Sequence, residues 1–227
     1  AKPVIEANRP KGLLSLLAEA AGRFNEACLD KETSKVGVVG EIFLEFNPFA
    51  QKNVTEWLIN QNLEVVPPLI TDFFTQSFVN LRTKERSLLQ RKRLPNAVID
   101  LLYRMVSKKI DKYNAVGSAF RYFMPFDDIR EKAARASELI TLNAQFGEGW
   151  LISGEMATYA AHGINHVVSL QPFGCIANHI IEKGIEKKIK SMFPQMNILS
   201  LDFDSSVSDV NIVNRLLLFI DNIRQEK

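Results

Sequence analysis

The amino-terminal part of the chain changes from a helical to an extended pattern of apolar side chains. From Leu13 to Cys28, apolar residues recur in steps of three and four, which predicts a helix with one buried face. Lys35–Gly40 is a short β-branched run that ends in glycine, a pattern typical of a buried parallel strand. We therefore expect residues 1–34 to form a helical arm and residues 35–227 to form an α/β domain.

Three further apolar runs predict strands, and helical stretches lie between them. The runs cover residues 63–67, 165–170 and 197–201. Four strands that alternate with helices predict an α/β fold, with a Rossmann-like or flavodoxin-like parallel sheet flanked by helices. The long excursion after the second strand allows a reversal in the direction of strand addition, which gives the strand order 2-1-3-4.

The pattern between about residues 70 and 146 is helical and predicts a long helical insertion, with helices near 71–80, 95–113 and 126–142. A further helix is expected from Pro48, because proline suits a first turn. The last helix is expected to begin near Ser206, where Asp209 completes a capping box. Its inward side chains are predicted to be Val210, Val213, Leu217 and Ile220.

The predicted reversal of strand order marks a crevice for a ligand. Parallel α/β sheets bind ligands outside the carboxyl ends of their strands, where the order reverses, here between the first and third strands. Gly40 and Glu41 after the first strand and residues 171–175 after the third would line this crevice. The end of the fourth strand would add Asp202, Asp204 and Ser205.

Cys175 is the main candidate for chemistry at this crevice. It follows Gly174 at a strand-to-helix turn, where a helix amino terminus stabilises a thiolate and presents N–H groups to an anion or a metal-bound sulfur. A small buried side chain at a tight turn explains the same position equally well. Cys28 continues the apolar stripe of the first helix and is predicted to belong to the core.

Cys175 and His179 lie one helical turn apart and could offer two ligands to a metal ion. Two ligands do not make a structural zinc site, which takes four. His162 and His166 also lie four residues apart, but Gly163 and the start of a strand separate them. We expect all three histidines to be solvated or hydrogen-bonded within the structure.

Overall charge and apolar run length argue against two classes of partner. The sequence has 28 Lys and Arg against 26 Asp and Glu, so its net charge of +2 gives no global attraction to nucleic acid or acidic membranes. The longest apolar run, Leu216–Ile220, is far shorter than the roughly 20 residues that cross a bilayer. Without a signal-peptide pattern, and with two cysteines, the chain is expected to be cytoplasmic. The polar opening from Ala1 suggests a fragment of a longer protein.

Residues 82–112 form a locally basic stretch, with ten Lys or Arg against three acids. A solvated helical face is the favoured interpretation, although such a surface could also steer the phosphates of coenzyme A or bind nucleic acid. Phosphate-loop signatures are missing, because Gly37–Gly40 lacks the G-x-G-x-x-G spacing and Gly149–Gly154 is followed by Glu155 rather than Lys-Ser/Thr. We therefore predict no ATP site. Glu148 and Glu155 remain an unspecific carboxylate pair.

Four blocks of the sequence, taken in order, resemble a known family. They are KVGVVGEIFLEFNPF over 35–49, GEGWLISGE over 147–155, QPFGCIANH over 171–179 and LDFD over 201–204. These blocks are similar to the carboxyl-terminal portion of the acyl-CoA dehydratase activase-related proteins, which belong with the 2-hydroxyglutaryl-CoA dehydratase-like superfamily. The resemblance covers nearly the whole chain from about Lys35 onward.

The resemblance implies a part in redox chemistry. Proteins of this superfamily hold iron–sulfur clusters between Rossmann-like domains, accept electrons from an ATP-driven activator and deliver them to a CoA thioester or similar acceptor. Cys175 matches the cluster-ligating cysteine, so preceding domains of the same polypeptide would supply the other ligands of a 4Fe-4S type cluster. Glu41, Gln171, Gly174 and Asn178 would surround the cofactor. This segment alone should then not catalyse.

Two other functions stay open at this stage. The first is a non-redox domain that binds CoA-type or other phosphorylated small molecules in the same crevice. The second, weaker hypothesis is a nucleic-acid or protein adaptor that uses the basic insertion. A homodimer is a further expected assembly, in which Phe73, Phe74 and Phe78 would serve either the interface or the core.

Overall fold

The computed structural model describes residues 10–91, 95–204, 206 and 208–225. The chain divides into two compact units. The first unit takes its residues from 1–32 and 92–128, and the second from 33–91 and 129–227. Ser205, one of the predicted crevice residues, lies outside the described residues.

The second unit contains a four-stranded sheet in which every pair of neighbours is parallel. Its strands are β1 (Lys35–Gly40), β2 (Glu64–Val66), β3 (His166–Pro172) and β4 (Asn197–Phe203). They lie in the order β2-β1-β3-β4. The predicted α/β fold with a parallel sheet of order 2-1-3-4 is therefore confirmed.

Helices flank this sheet in the second unit, while the first unit is built from two long helices. The first unit contains α1 (Pro10–Ala27) and α5 (Asn96–Gly117). The second contains α2 (Ile42–Phe46), α3 (Val54–Asn60), α4 (Ile70–Arg86), α6 (Ile129–Leu139), α7 (Trp150–Ala161), a π-helix (Ala177–Glu182) that continues into α8 (Lys183–Met192), and α9 (Asp209–Gln225). No described helix has the length and apolar content needed to cross a membrane.

One face of the sheet packs on an aliphatic core formed with α3 and α9. The core includes Val36, Val38, Val168, Leu170, Leu201 and Phe203 from the strands, and Val54, Leu58, Ile212 and Leu216 from the helices. The opposite face packs on α7 and the π-helix. There Gly37 lies against the Tyr159 ring, since a Cβ atom at this position would be 2.6 Å from Cδ2 of that ring.

The predicted helix from Pro48 is wrong in its start. Glu41 caps the short helix α2, and its side chain accepts a hydrogen bond from Leu44 N. The chain then turns through Lys52 and Asn53, both of which have a positive φ, before α3 begins at Val54. A right-handed helix cannot continue through two successive residues with left-handed backbone conformation, so a helix that started at Pro48 could not run into α3.

The last helix starts later than predicted, and its predicted inward face is right at Ile220 but wrong at Val210 and Leu217. The helix begins at Asp209, because Ser206 hydrogen-bonds to Asp204 through both its backbone N and its hydroxyl instead of capping. Val210 and Leu217, predicted to point inward, are 67% and 44% exposed. The buried positions are Ile212, Leu216, Phe219, Ile220 and Ile223.

Candidate functional site

At the carboxyl edge of the sheet, the backbones of β1 and β3 approach each other closely. Gly40 has φ +141°, and a Cβ atom there would lie 2.1 Å from the carbonyl oxygen of Leu170. The same carbonyl accepts a hydrogen bond of 3.0 Å from Glu41 N. Only glycine allows this approach, so the chain leaves β1 directly beside β3.

Cys175 lies on an exposed turn between β3 and the π-helix. Gly174, with φ +79°, turns the chain, and Cys175 N donates to Pro172 O at 3.1 Å. The Cys175 thiol is free and half-buried. Its backbone carbonyl accepts a hydrogen bond from His179 N at 2.9 Å, which starts the helical segment.

Large apolar side chains beside Cys175 face solvent. Phe173 is 73% exposed, Ile176 61% and Ile180 66%. Three exposed apolar residues next to one thiol form an apolar surface of the kind that another protein segment covers.

As expected, contacts within the structure hold the His179 imidazole. His179 Nε2 lies 3.2 Å from Asp202 Oδ1, and His179 Nδ1 lies 3.2 Å from the Cys175 carbonyl oxygen. Lys183 Nζ lies 3.4 Å from Asp202 Oδ2. Across the described ranges, no three His, Cys, Asp or Glu side chains are grouped to hold a metal ion.

Behind the Cys175 turn lies a buried polar cluster centred on Glu182, which is 2% exposed. Its carboxylate accepts hydrogen bonds from the hydroxyls of Ser169 and Ser200, the latter at 2.9 Å. Burial raises the pKa of Glu182, while the hydroxyls of Ser169 and Ser200 and the amides of Gln171 and Asn178 lower it. These groups fix the π-helix against β3 and β4.

Gln171 and Asn178 are fully buried in this cluster. Both amides are close enough to Glu182 to lower its pKa, yet neither forms a hydrogen bond of normal geometry with any described residue. Burying an amide without such a bond costs about 1–3 kcal/mol. These two predicted site residues lie on either side of the Cys175 turn in sequence, and the fold brings both of their amides to Glu182.

A second cluster joins four glutamates from two distant parts of the sequence. Glu41 and Glu45 follow β1, whereas Glu148 and Glu155 lie before and within α7. Glu148 Oε1 accepts a hydrogen bond of 3.0 Å from Ile42 N. Burial, followed by repulsion from Glu155, Glu148 and Glu41, raises the pKa of Glu45.

Glu155, within α7, is a second carboxyl group of this cluster with a raised pKa. Burial, with repulsion from Asp72 and Glu148, raises its pKa to about 8, although Lys132 acts in the opposite direction. The Lys132 ammonium is hydrogen-bonded to Asp72 in a buried ion pair. Since that cation is already engaged by one carboxylate, Glu155 keeps its proton at neutral pH.

A cavity of about 600 Å³ opens on the other side of the sheet. Its walls are mainly apolar and come from α3, α9 and the turns before them, and they include Trp57, Val213 and Leu216. Asp204, Asp209 and Lys52 are its charged residues, and Lys52 Nζ is 2.7 Å from Asp209 Oδ1. Asp204 is the predicted crevice residue that lies here, whereas Asp202 faces His179.

Sequence reasoning missed Glu182, Glu45 and the Asp72–Lys132 pair. Glu182 lies on a π-helix, whose spacing differs from the helical period used to assign faces. The other carboxylates belong to segments far apart in sequence, and no local pattern joins them.

Comparison with known proteins gives no match: no family model, no curated protein and no solved structure is significantly similar to this chain.

Proposed function

We propose that this chain is the carboxyl-terminal α/β domain of a cytoplasmic iron–sulfur protein of the dehydratase or reductase type, with Cys175 as one cluster ligand. The observation that supports the proposal is the position of Cys175. Its free, half-buried thiol lies on the turn after β3, at the edge where the strand order reverses.

The surroundings of Cys175 suit a shared site. An iron–sulfur cluster usually takes three or four thiolates, so domains outside this segment would supply the others. Phe173, Ile176 and Ile180 offer those domains an apolar surface beside the thiol. A bound cluster would pass electrons at low potential to an acyl-CoA or a similar acceptor.

Each remaining proposed site residue has a role in this arrangement. Gly174 turns the chain at positive φ directly before Cys175. Gln171 and Asn178 are buried at the base of the turn, beside Glu182. Glu41 caps α2 at the end of the neighbouring strand and adds negative charge at the same edge. Holding and orienting the cluster ligand is the role of this domain, and the reaction belongs to the longer protein.

The decisive measurement is iron and acid-labile sulfide content, with a visible spectrum, on the longest native polypeptide that contains this segment, purified without oxygen. We expect Cys175→Ala to lose most of the iron. Cys28→Ala is the matched control, because Cys28 is the other free cysteine and belongs to the first unit. It should keep the cluster. A wild type that stays free of iron after reconstitution, or a Cys175→Ala variant that keeps all its iron, would exclude the proposal.

A non-redox domain that binds CoA-type or other phosphorylated molecules is the second candidate. The cavity near Trp57 favours it, since about 600 Å³ is the size of a small-molecule site. Two carboxylates against one ammonium in its lining disfavour a phosphate group. Calorimetric titration with coenzyme A tests this function. Binding should be lost in Val213→Trp, which fills the cavity, and kept in Val210→Trp on an exposed position of the same helix. No heat at millimolar coenzyme A would remove the candidate.

A further inference from the structure

The first unit has a small core for its two long helices. Among its described residues, the buried apolar side chains are Ala21, Ile99 and Tyr103. Helix α1 packs against α5, and Asn25 and Arg121 join the two ends of the unit through hydrogen bonds. Most helical stability in proteins comes from tertiary packing, so a two-helix unit with few buried side chains leaves apolar surface to be covered.

Helix α5 carries that apolar surface on a second face. Val98, Leu101, Leu102 and Met105 are 39%, 60%, 45% and 57% exposed. Their spacing of i, i+3, i+4 and i+7 places them on one side of the helix, separate from the buried Ile99 and Tyr103. A ridge with this spacing fits the groove of another helix.

The same face becomes basic in its carboxyl-terminal half. Lys108, Lys109 and Lys112 follow the apolar residues in helical register and are exposed, and Arg104 flanks them. The acids of this helix, Asp100 and Asp111, lie outside this face by the helical period of 3.6 residues, although Asp111 is beside Lys108 at a spacing of i, i+3. The exposed face is therefore apolar for about two turns and basic for about the next turn and a half.

We infer that this face of α5, defined by Val98, Leu101, Leu102, Met105, Lys108, Lys109 and Lys112, docks an acidic amphipathic helix of a partner protein. The partner's apolar side chains pack on the first half of the face, and its carboxylates pair with the lysines of the second half. Such a partner would give the first unit a third helix and bury this second face of α5. The inference is independent of Cys175.

Other occupants match the face less well. Nucleic acid needs a basic surface throughout, whereas half of this face is apolar. In a dimer with the two α5 helices antiparallel, the lysines of each would lie near the positive amino-terminal end of the other. With the helices parallel, the two sets of lysines would face each other, and both arrangements are repulsive. A helix that presents apolar and acidic residues complements both halves at once.

The test uses two fluorescent synthetic peptides of four to five helical turns with an identical apolar stripe, one with glutamate and one with lysine at the flanking positions. Binding to the full chain is followed by anisotropy at low and at high salt. We expect the glutamate peptide to bind at least tenfold more tightly than the lysine peptide, and this preference to shrink with salt because exposed charges are screened. Equal binding of the two peptides would overturn the inference.

Variants separate the two halves of the face. Leu101→Glu should weaken binding of the glutamate peptide at least tenfold, whereas Leu218→Glu, at an exposed leucine of α9, should not weaken it. The double variant Lys108→Glu/Lys109→Glu should exchange the preference and bind the lysine peptide, while Lys187→Glu on α8 leaves it unchanged. A preference that does not exchange would overturn the inference. The inference would also be overturned if the chain bound duplex DNA or vesicles with anionic lipids more tightly than the glutamate peptide, and if the double variant lost that binding.

Discussion

Glu155 keeps a proton that an ordinary glutamate loses well below neutral pH. Its carboxyl group is buried on α7, near Asp72 and Glu148, and the nearby Lys132 is hydrogen-bonded to Asp72. The pKa of Glu155 rises to about 8, from an unfolded value of 4.5. The unfolded chain therefore releases this proton at a lower pH than the folded chain, so stability falls as pH rises from about 4.5 to about 8.

Replacing Glu155 with glutamine should remove this loss. Relative to the wild type, Glu155→Gln should gain stability progressively between pH 5 and pH 8, by up to about 4 kcal/mol. Urea unfolding at several pH values measures the difference. The exposed Glu138→Gln is the control and should show no such trend. If the gap between Glu155→Gln and the wild type is constant with pH, the carboxyl group is ionised in the folded state and our assignment is wrong.

Replacement by alanine should have opposite effects on stability at Gly40 and at Gly184. Gly40→Ala should destabilise by roughly 3–5 kcal/mol, because the new Cβ atom would lie 2.1 Å from the Leu170 carbonyl oxygen at a positive φ. Gly184→Ala, on α8, should stabilise by about 0.5–1 kcal/mol, because an added Cβ atom would meet no atom within 4 Å beyond its chain neighbours and its own helical backbone, and alanine favours the helix. Chemical denaturation of both variants decides whether β1 and β3 approach this closely. A mild effect at Gly40 would argue against it.

The sequence predicted part of the candidate site because that part follows directly from the strands. Cys175 and Gly174 come after β3, and parallel strands place their carboxyl ends on one edge. The sequence did not indicate which of the polar side chains are buried or how burial changes their pKa values. Gln171 was predicted as a crevice residue but is fully buried, and its neighbour Glu182 was not predicted at all. Charged residues in a helical pattern are ordinarily assigned to solvent, and only the surrounding hydroxyls and amides explain why Glu182 is inside.

At the level of elements, strands were easier to predict than helix faces. Each predicted strand overlaps an observed one, because short β-branched runs between helices have few alternative structures. Helix α9 shows the opposite case. Leu216–Ile220 is continuously apolar, so the run itself does not indicate which side faces the sheet. The buried side is set by packing against Leu201 and Phe203.

Adjacent leucines in α9 test the observed face. Leu216 is 1% exposed and belongs to the core, whereas Leu217 is 44% exposed. Leu216→Ala should destabilise the protein by about 2–5 kcal/mol, since it leaves a cavity beside the sheet. Leu217→Ala should cost less than about 1 kcal/mol. Urea denaturation of the pair gives the answer, and a larger loss at Leu217 would restore the face that the sequence pattern predicted.

For the whole molecule, the division into two units depends on contacts between segments far apart in sequence. Residues 92–128 belong to the same unit as residues 1–32, while the residues between them contribute strands and helices to the other unit. Asn25 and Arg121 illustrate this, because their hydrogen bond joins positions on either side of that intervening stretch. Local periodicity finds α1 and α5 separately but carries no signal that they pack together.

This division predicts unequal resistance to opening. The described part of the first unit buries few apolar side chains, whereas the second unit has an extended core beneath β1, β3 and β4. In native-state hydrogen exchange, the amides of α1 and α5 should therefore exchange through a partial unfolding of lower free energy than the one that exposes β1 and β3. Mass spectrometry of peptides from both units at low denaturant measures the two free energies. The glutamate peptide that docks on α5 should raise protection of α5 in particular. Identical free energies for both units would mean that the chain unfolds as one cooperative body, and the small core of the first unit would then not limit its stability.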